Sequence, residues 1–211
     1  MRKFILSLLV ASFLVSACAA LAGQQVFVLV GPPGVGKSTQ ARYIQEVKPL
    51  PHISVGDLLR AEIKKGTALG VAARTRMANG QLVPNSMVIG MLKQRVSEPD
   101  CTEGYIMDGY PRAMEQMTSF EELTKDCDVA VINLIVDDAV VKDRILGRAA
   151  KLPPEQRRED DTEEVLAKRL EVFHRESGPV LEYFQAKGLV TDVDATLEQE
   201  KVFAFIRPLM Q

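Results

Sequence analysis

The chain contains no tryptophan, and its three cysteines, Cys18, Cys101 and Cys127, stand far apart with no CxxC pair. Thiols so scattered argue against a structural zinc site and against a disulfide scaffold. Neither sign of charge dominates: 26 Lys plus Arg face 28 Asp plus Glu. A balanced chain gives no electrostatic reason to expect nucleic acid as a partner. Internal repeats and low-complexity tracts are missing too. What remains is 211 residues, 46% of them hydrophobic, which suits one domain with a real core, or one domain with small insertions.

The N-terminus stands apart from the rest. Arg2 and Lys3 precede an uncharged run, residues 4–22, whose hydrophobic heart is residues 4–15. That is the pattern of an export signal. Val15-Ser16-Ala17-Cys18 resembles a lipobox, which would make Cys18 a lipid-bearing tether, whereas Ala20-Leu21-Ala22 fits a cleavage site. Left uncleaved, the run is long enough to just span a bilayer. Export, anchoring and retention inside the cell all stay open, so residues 1–22 are set apart from residues 23–211.

Beyond it, short apolar runs alternate with helical patterns. Strands are expected at residues 26–30, 52–55, 104–108, 129–136 and 189–193. Helices are expected at 37–46, 57–65, 68–78, 84–96, 113–124, 138–148 and 162–187, the last with a bend near Gly178-Pro179, and from 197 onward. Residues 151–160, with Pro153-Pro154, read as a loop. Asp160 and Asp161 are expected to cap the long helix and to pair with arginines. The alternation implies an α/β fold, a parallel sheet covered by helices on both faces, with ligands at the carboxyl ends of the strands.

Gly31-Pro-Pro33-Gly34-Val35-Gly36-Lys37-Ser38 matches G-x-x-x-x-G-K-[ST] between an expected strand and an expected helix. The glycines let backbone N–H groups approach phosphate oxygens. Lys37 supplies a point charge for the β and γ phosphates, Ser38 an oxygen for Mg²⁺, and Thr39 a hydroxyl for the α phosphate. The motif predicts nucleotide binding and does not say what becomes of the nucleotide.

Further motifs do. GPPGVGKSTQ (31–40), HISVGDLLR (52–60), NGQLVP (79–84), DGYPR (108–112) followed by Gln116, DRILGR (143–148) and RREDD (157–161) together resemble the nucleoside monophosphate kinases, and adenylate kinase most. The resemblance implies a five-stranded P-loop kinase fold of strand order 2-3-1-4-5, a monophosphate-binding segment at residues 54–83 and a short lid at 148–160. It implies ATP and AMP as substrates, Mg²⁺ as cofactor, and a monomer. ATP would meet the loop from Gly31 to Thr39 together with Arg144, Arg148 and the backbone at Ala195. AMP would meet Val55, Arg60, Gln81, Leu82, Val83, Gly109, Arg112, Gln116, Arg158 and Arg169. Lys37, Arg112, Arg144, Arg158 and Arg169 would be catalytic, and Asp108 would hold Mg²⁺ through water. Arginine suits such work because its planar fork binds two oxygens and stays charged. Arg144 and Arg148, four apart, share one helical face.

Val55 departs from the pattern, since many adenylate kinases carry Thr there. UMP/CMP-type kinases carry a small residue at this place, and so form the rival reading. Gln116, whose amide can pair with two edge groups of adenine, favours AMP. A nucleotide-binding module without catalysis is the third reading. With strand order 2-3-1-4-5, the first strand separates Cys101 from Cys127, and two strand spacings, ~10 Å, keep them free thiols. The lid holds no cysteine and so no zinc site.

Overall fold

The computed structural model describes residues 23–211. The export, lipidation and anchoring expectations for residues 1–22, Cys18 included, lie outside the described residues. Five strands form one parallel sheet in the order β2-β3-β1-β4-β5. They are β1 (Gln24–Val30), β2 (His52–Ser54), β3 (Gly104–Asp108), β4 (Cys127–Ile135) and β5 (Val190–Asp194).

Period-2 alternation builds the two faces. On β1, Val26, Val28 and Val30 join Ile53, Leu92, Tyr105, Met107 and Phe184 on one side. Phe27 and Leu29 join Ala41, Ile44, Ile106, Ile132 and Ile206 on the other. A central strand buried on both faces must be apolar throughout, which is why β1 shows no polar alternation after Gln25. Each such Val, Leu or Phe contributes about 1.5–3 kcal/mol by leaving water.

Eight α-helices occur among the described residues: α1 (Lys37–Val47), α2 (Val55–Lys65), α3 (Ala68–Ala78), α4 (Asn85–Val96), α5 (Met117–Leu123), α6 (Asp138–Lys151), α7 (Glu163–Ala186) and α8 (Gln199–Ile206). Several boundaries differ from the sequence expectation. Residues 113–124 are not one helix: a 3-10 turn, Met114–Gln116, precedes α5, and Gln116 turns its side chain back onto the Arg112 amide. α6 runs on to Lys151, and the stretch expected as pure loop holds a 3-10 turn at Pro154–Gln156. α7 continues through Gly178-Pro179 as one element. Its cap is Thr162, whose hydroxyl accepts from the Val165 amide; Asp160 and Asp161 are not caps, but both pair with arginines as expected.

Cys101 and Cys127 are free thiols, with Gln24 of β1 between them. Its amide donates to the Cys101 carbonyl and accepts from the Cys127 thiol. The order 2-3-1-4-5 matters more for function. The chain leaves β1 towards β2 on one side and β3 towards β4 on the other, so the loops after β1 and β3 part above the sheet. Such a switch point is where parallel sheets open a crevice.

Candidate active site

The loop after β1 owes its shape to glycine. Gly31, Gly34 and Gly36 have φ of 143°, 80° and 115°. A Cβ on Gly34 would stand 2.5 Å from Ile145 Cγ1, so α6 closes directly over the loop. α1 starts at Lys37 with no side chain capping its first turn. Its free amides and positive dipole end are therefore open to an anion. Lys37 Nζ donates to the carbonyls of Gly31 at 2.8 Å and Pro32 at 2.9 Å. Loss of water pulls its pKa down to about 8; Asp108 opposes that, and Arg112 and Arg169 add to it.

Asp108 ends β3 beside this loop and is 6% exposed. Its Oδ2 accepts from Ser38 Oγ at 3.3 Å and meets His52 Nε2 at 3.4 Å. Burial pushes its pKa upward, but the His52 hydrogen bond and the charges of Lys37, His52 and Arg112 outweigh burial and hold it below the ordinary carboxylate range. Among the described residues no three His, Cys, Asp or Glu side chains gather into a metal cluster. The Ser38 hydroxyl with an ionised Asp108 is instead a pair of hard oxygen donors. That fits a magnesium ion held by one or two protein oxygens, with water and phosphate completing its shell.

The arginines converge from five parts of the chain: α2, the segment after β3, α6, the segment between α6 and α7, and α7. Arg112 is held by its Nε on the Gly109 carbonyl at 3.0 Å and by its own N–H on Gln116 Oε1 at 2.7 Å. Burial depresses its pKa; Asp108 resists, and the nearby Arg169 and Arg60 lower it further. Arg144 of α6 spreads its fork onto the carbonyls of Val35 (3.0 Å) and Ala195 (2.8 Å). Arg148, one turn on, pairs with Asp161 at 2.6 Å. Arg169 of α7 pairs with Asp160 at 3.0 Å and Asp161 at 3.5 Å. Arg60 binds Asp57 at 2.7 Å and reaches Asp160 at 3.9 Å, while Arg158 reaches Asp57 at 3.6 Å. Burial lowers the pKa of Arg158, as do Arg60 and Arg148. Arg157, by contrast, bonds the Leu152 carbonyl.

Lys37, Ser38, Asp108, Asp160 and Arg60, Arg112, Arg144, Arg148, Arg158 and Arg169 face one cavity of about 500 Å³, whereas His52, Asp57, Arg157 and Asp161 are not part of its wall. Its wall contains Gly31, Pro33, Gly34, Val35, Gly36, Lys37, Ser38 and Thr39 from the loop, Asp108 and Gly109 from the end of β3, and Arg144 and Arg148 from α6. It also contains Val55, Arg60, Gln81, Leu82, Val83, Arg112, Gln116, Arg158 and Arg169. Ala195 is the one residue expected here that is not part of the wall; it is 1% exposed, and its carbonyl is engaged by Arg144. The cavity also takes in Met77, Val88, Val172, Phe173, Glu176, Ser177 and Gln199, which sequence reasoning missed. The motifs carry no trace of them. For Gln199 one signal existed: it opens the helix after β5, at the carboxyl edge where sites form. His52 lies inside a recognised motif, but only the β2–β3 register, Ser54 beside Asp108, brings it within reach of that carboxylate.

A glycine-built loop and six arginines on one cavity match a known kind of protein. The family model for adenylate kinase matches residues 29–189. The chain belongs to the adenylate kinase family. It is 38% identical over 207 residues to an adenylate kinase of Methanocella arvoryzae, with 86% of this chain and 96% of the relative covered. It is 43% identical over 180 residues to one of Rhodococcus erythropolis (84% and 94% covered). One of Leptospira biflexa is 39% identical over 178 residues (83% and 94%). The adenylate kinase relationship makes this chain an enzyme, a kinase, and the matched region takes in every residue of the cavity wall except Gln199.

Proposed function

We propose that this enzyme moves the γ-phosphoryl group of ATP to AMP and releases two ADP. The observation that carries the reading is the single cavity in which the phosphate loop faces Arg60, Arg112, Arg158 and Arg169. Phosphoryl transfer asks a protein chiefly to position two polyanions and offset their charge. On this reading the Gly31–Thr39 backbone and Lys37 hold the triphosphate, with Arg144 and Arg148 beside it. Arg60 and Arg112 grip the phosphate of AMP, and Gln116 with residues 81–83 and Val55 receives its base. Arg158 and Arg169 close over the junction from the lid and α7. Ser38 and, through water, Asp108 would hold a magnesium ion, which when bound would offset charge on the phosphates. No general base is needed, because the acceptor phosphate is already an anion. Residues 54–83 and 148–160 serve as the monophosphate-binding segment and the lid, and the enzyme works as a monomer. Residues 1–22 export or tether it, by Cys18 lipidation or by the apolar run. The mass of the mature N-terminus decides among these, since a lipidated Cys18, a chain starting at Gly23 and an intact Met1 differ.

The test is ADP formation with ATP, magnesium and AMP, CMP, UMP or dAMP, compared by kcat/KM. AMP should win. A preference for CMP or UMP establishes the second reading, which Val55 favours: it is buried in an apolar part of the wall and lacks a hydroxyl to offer adenine. ATP binding without turnover of any monophosphate would establish a non-catalytic module and end both.

A further inference from the structure

Among the polar side chains of the cavity that have no part in the scheme above, Gln199 is the one set against the phosphate loop. Gln199 opens α8, is half-buried and lines the wall beside the phosphate loop. A Cβ placed on Gly36 would stand 3.0 Å from its Oε1 and 3.5 Å from its Nε2, so its carboxamide lies on the loop itself. Beneath it sits Gln40, fully buried in α1. Gln40 Nε2 donates to the Gln199 carbonyl at 3.1 Å and to Gln199 Oε1 at 3.0 Å. Both amide hydrogens of Gln40 are thereby used on residue 199. Turning the Gln40 amide over would set its oxygen against two acceptors, so its orientation is settled by chemistry. Gln199 must then present Oε1 to Gln40. What it has left for the cavity is Nε2, a donor with no acceptor among the described residues. Gln40 Oε1 stays buried without a partner, a cost that marks this pair as more than packing.

We infer that Gln199 is a specificity residue for the phosphoryl-donor nucleotide: its Nε2–H donates to an acceptor nitrogen on the ring of the donor's base, held in aim by Gln40. The inference rests on the ATP reading above and deepens it. The backbone of this loop is poorly placed for that task, since Ala195 is outside the wall and its carbonyl is bound by Arg144. A single directed donor reads a nitrogen lone pair on the base and gains nothing from a position occupied by C–H.

The test is calorimetric binding of ATP, its 1-, 3- and 7-deaza analogues, and AMP to wild type and two variants. Gln199→Met keeps the volume and loses both polar atoms. Gln199→Glu keeps the acceptor that Gln40 uses and replaces the donor with an oxygen. One neutral hydrogen bond predicts roughly a 5- to 10-fold loss of ATP affinity in Gln199→Met, with AMP affinity unchanged. Gln199→Glu should be at least as weak, because a carboxylate has no hydrogen to donate. One deaza analogue should suffer the same loss on wild type and no further loss on Gln199→Met. Unchanged ATP affinity in Gln199→Met overturns the inference. So does rescue by Glu, which would reduce Gln199 to a partner for Gln40. So do deaza penalties that all add in full to that of Gln199→Met. Wild-type protein that fails to bind ATP overturns the proposed function and this inference together, whereas normal wild-type binding with an indifferent variant overturns this inference alone.

Discussion

Lys37 should make donor binding fail in mild alkali. Its ammonium lies against the Gly31 and Pro32 carbonyls, and desolvation brings its pKa down to about 8. A triphosphate needs the charged form, so bound ATP raises that pKa. The sign follows: affinity is full below the free-state pKa and falls as pH rises through it, until the bound-state pKa is reached. With a free-state value of about 8, roughly nine-tenths of the protein is competent at pH 7 and one-tenth at pH 9, a loss near tenfold, or about 1.4 kcal/mol. The γ-phosphate does not confuse the measurement, because a phosphate's second ionisation, near pH 6, is complete by pH 7.5. The assay is calorimetric titration with ATP from pH 7.5 to 9.5, repeated on Lys37→Arg, whose guanidinium does not titrate there. Lys37→Arg should bind more weakly at pH 7.5 and show a flat profile. A wild-type affinity that holds steady to pH 9.5, or an equal fall in Lys37→Arg, refutes the reasoning.

Other substitutions separate the two halves of the cavity. Gly34→Ala forces a methyl against Ile145 in a backbone at φ 80°; it should cost about 1–3 kcal/mol in urea unfolding and abolish ATP binding before it abolishes folding. Arg112→Ala should raise the KM for the monophosphate well above any change in the KM for ATP, and a change confined to ATP would reverse the assignment of the two subsites. Asp161→Ala leaves Arg148 and Arg169 without their nearly buried carboxylate, and the melting transition should fall by roughly 1–3 kcal/mol after allowance for the exposed side of Arg148. Val55→Thr adds a hydroxyl to the apolar wall and should raise the AMP-to-CMP ratio of kcat/KM several-fold; an unchanged ratio removes position 55 from base selection.

Some of this molecule was readable from sequence because local chemistry is strict. Three glycines before Lys37 admit few backbone paths, and β1 is apolar at every position after Gln25, as only a doubly covered strand is. The chain of α/β units therefore followed from pattern, while the strand order followed from family resemblance. What escaped depends on groups far apart in sequence. For Asp160 and Asp161 the pairing with arginines was legible but the capping was not: they precede a helix, yet Thr162 caps it, and the partners are Arg148 and Arg169, 13 and 9 residues away. Gln116 looked like part of a helix because residues 113–124 have helical composition. Its side chain instead answers the Arg112 amide and tightens the first turn. His52 and Gln40 sit inside motifs that say nothing of their partners, Gln199 lies in none, and only the packing of β2 on β3 and of α1 on α8 shows what they touch.

The ion pairs of the cavity fall into two kinds, and the difference bears on how it works. Arg148–Asp161 at 2.6 Å and Arg169–Asp160 at 3.0 Å are short and tie α6 and α7 to the segment between them. Arg60–Asp160 at 3.9 Å and Arg158–Asp57 at 3.6 Å are long and cross from α2 to that same segment. Long, partly exposed pairs contribute about 0–1 kcal/mol. A phosphate arriving between them offers shorter, charge-assisted bonds to the same guanidinium groups. On the proposed phosphoryl-transfer reading, the short pairs would aim Arg148 and Arg169, while the long ones are the pairs an entering anion would displace. Burial lowers the pKa of Arg112 and Arg158, and the neighbouring arginines lower it further, so a bound anion is expected to relieve that repulsion. A cavity so arranged favours polyanions over neutral ligands by its charge, and leaves the choice among nucleotides to the few groups that face their bases.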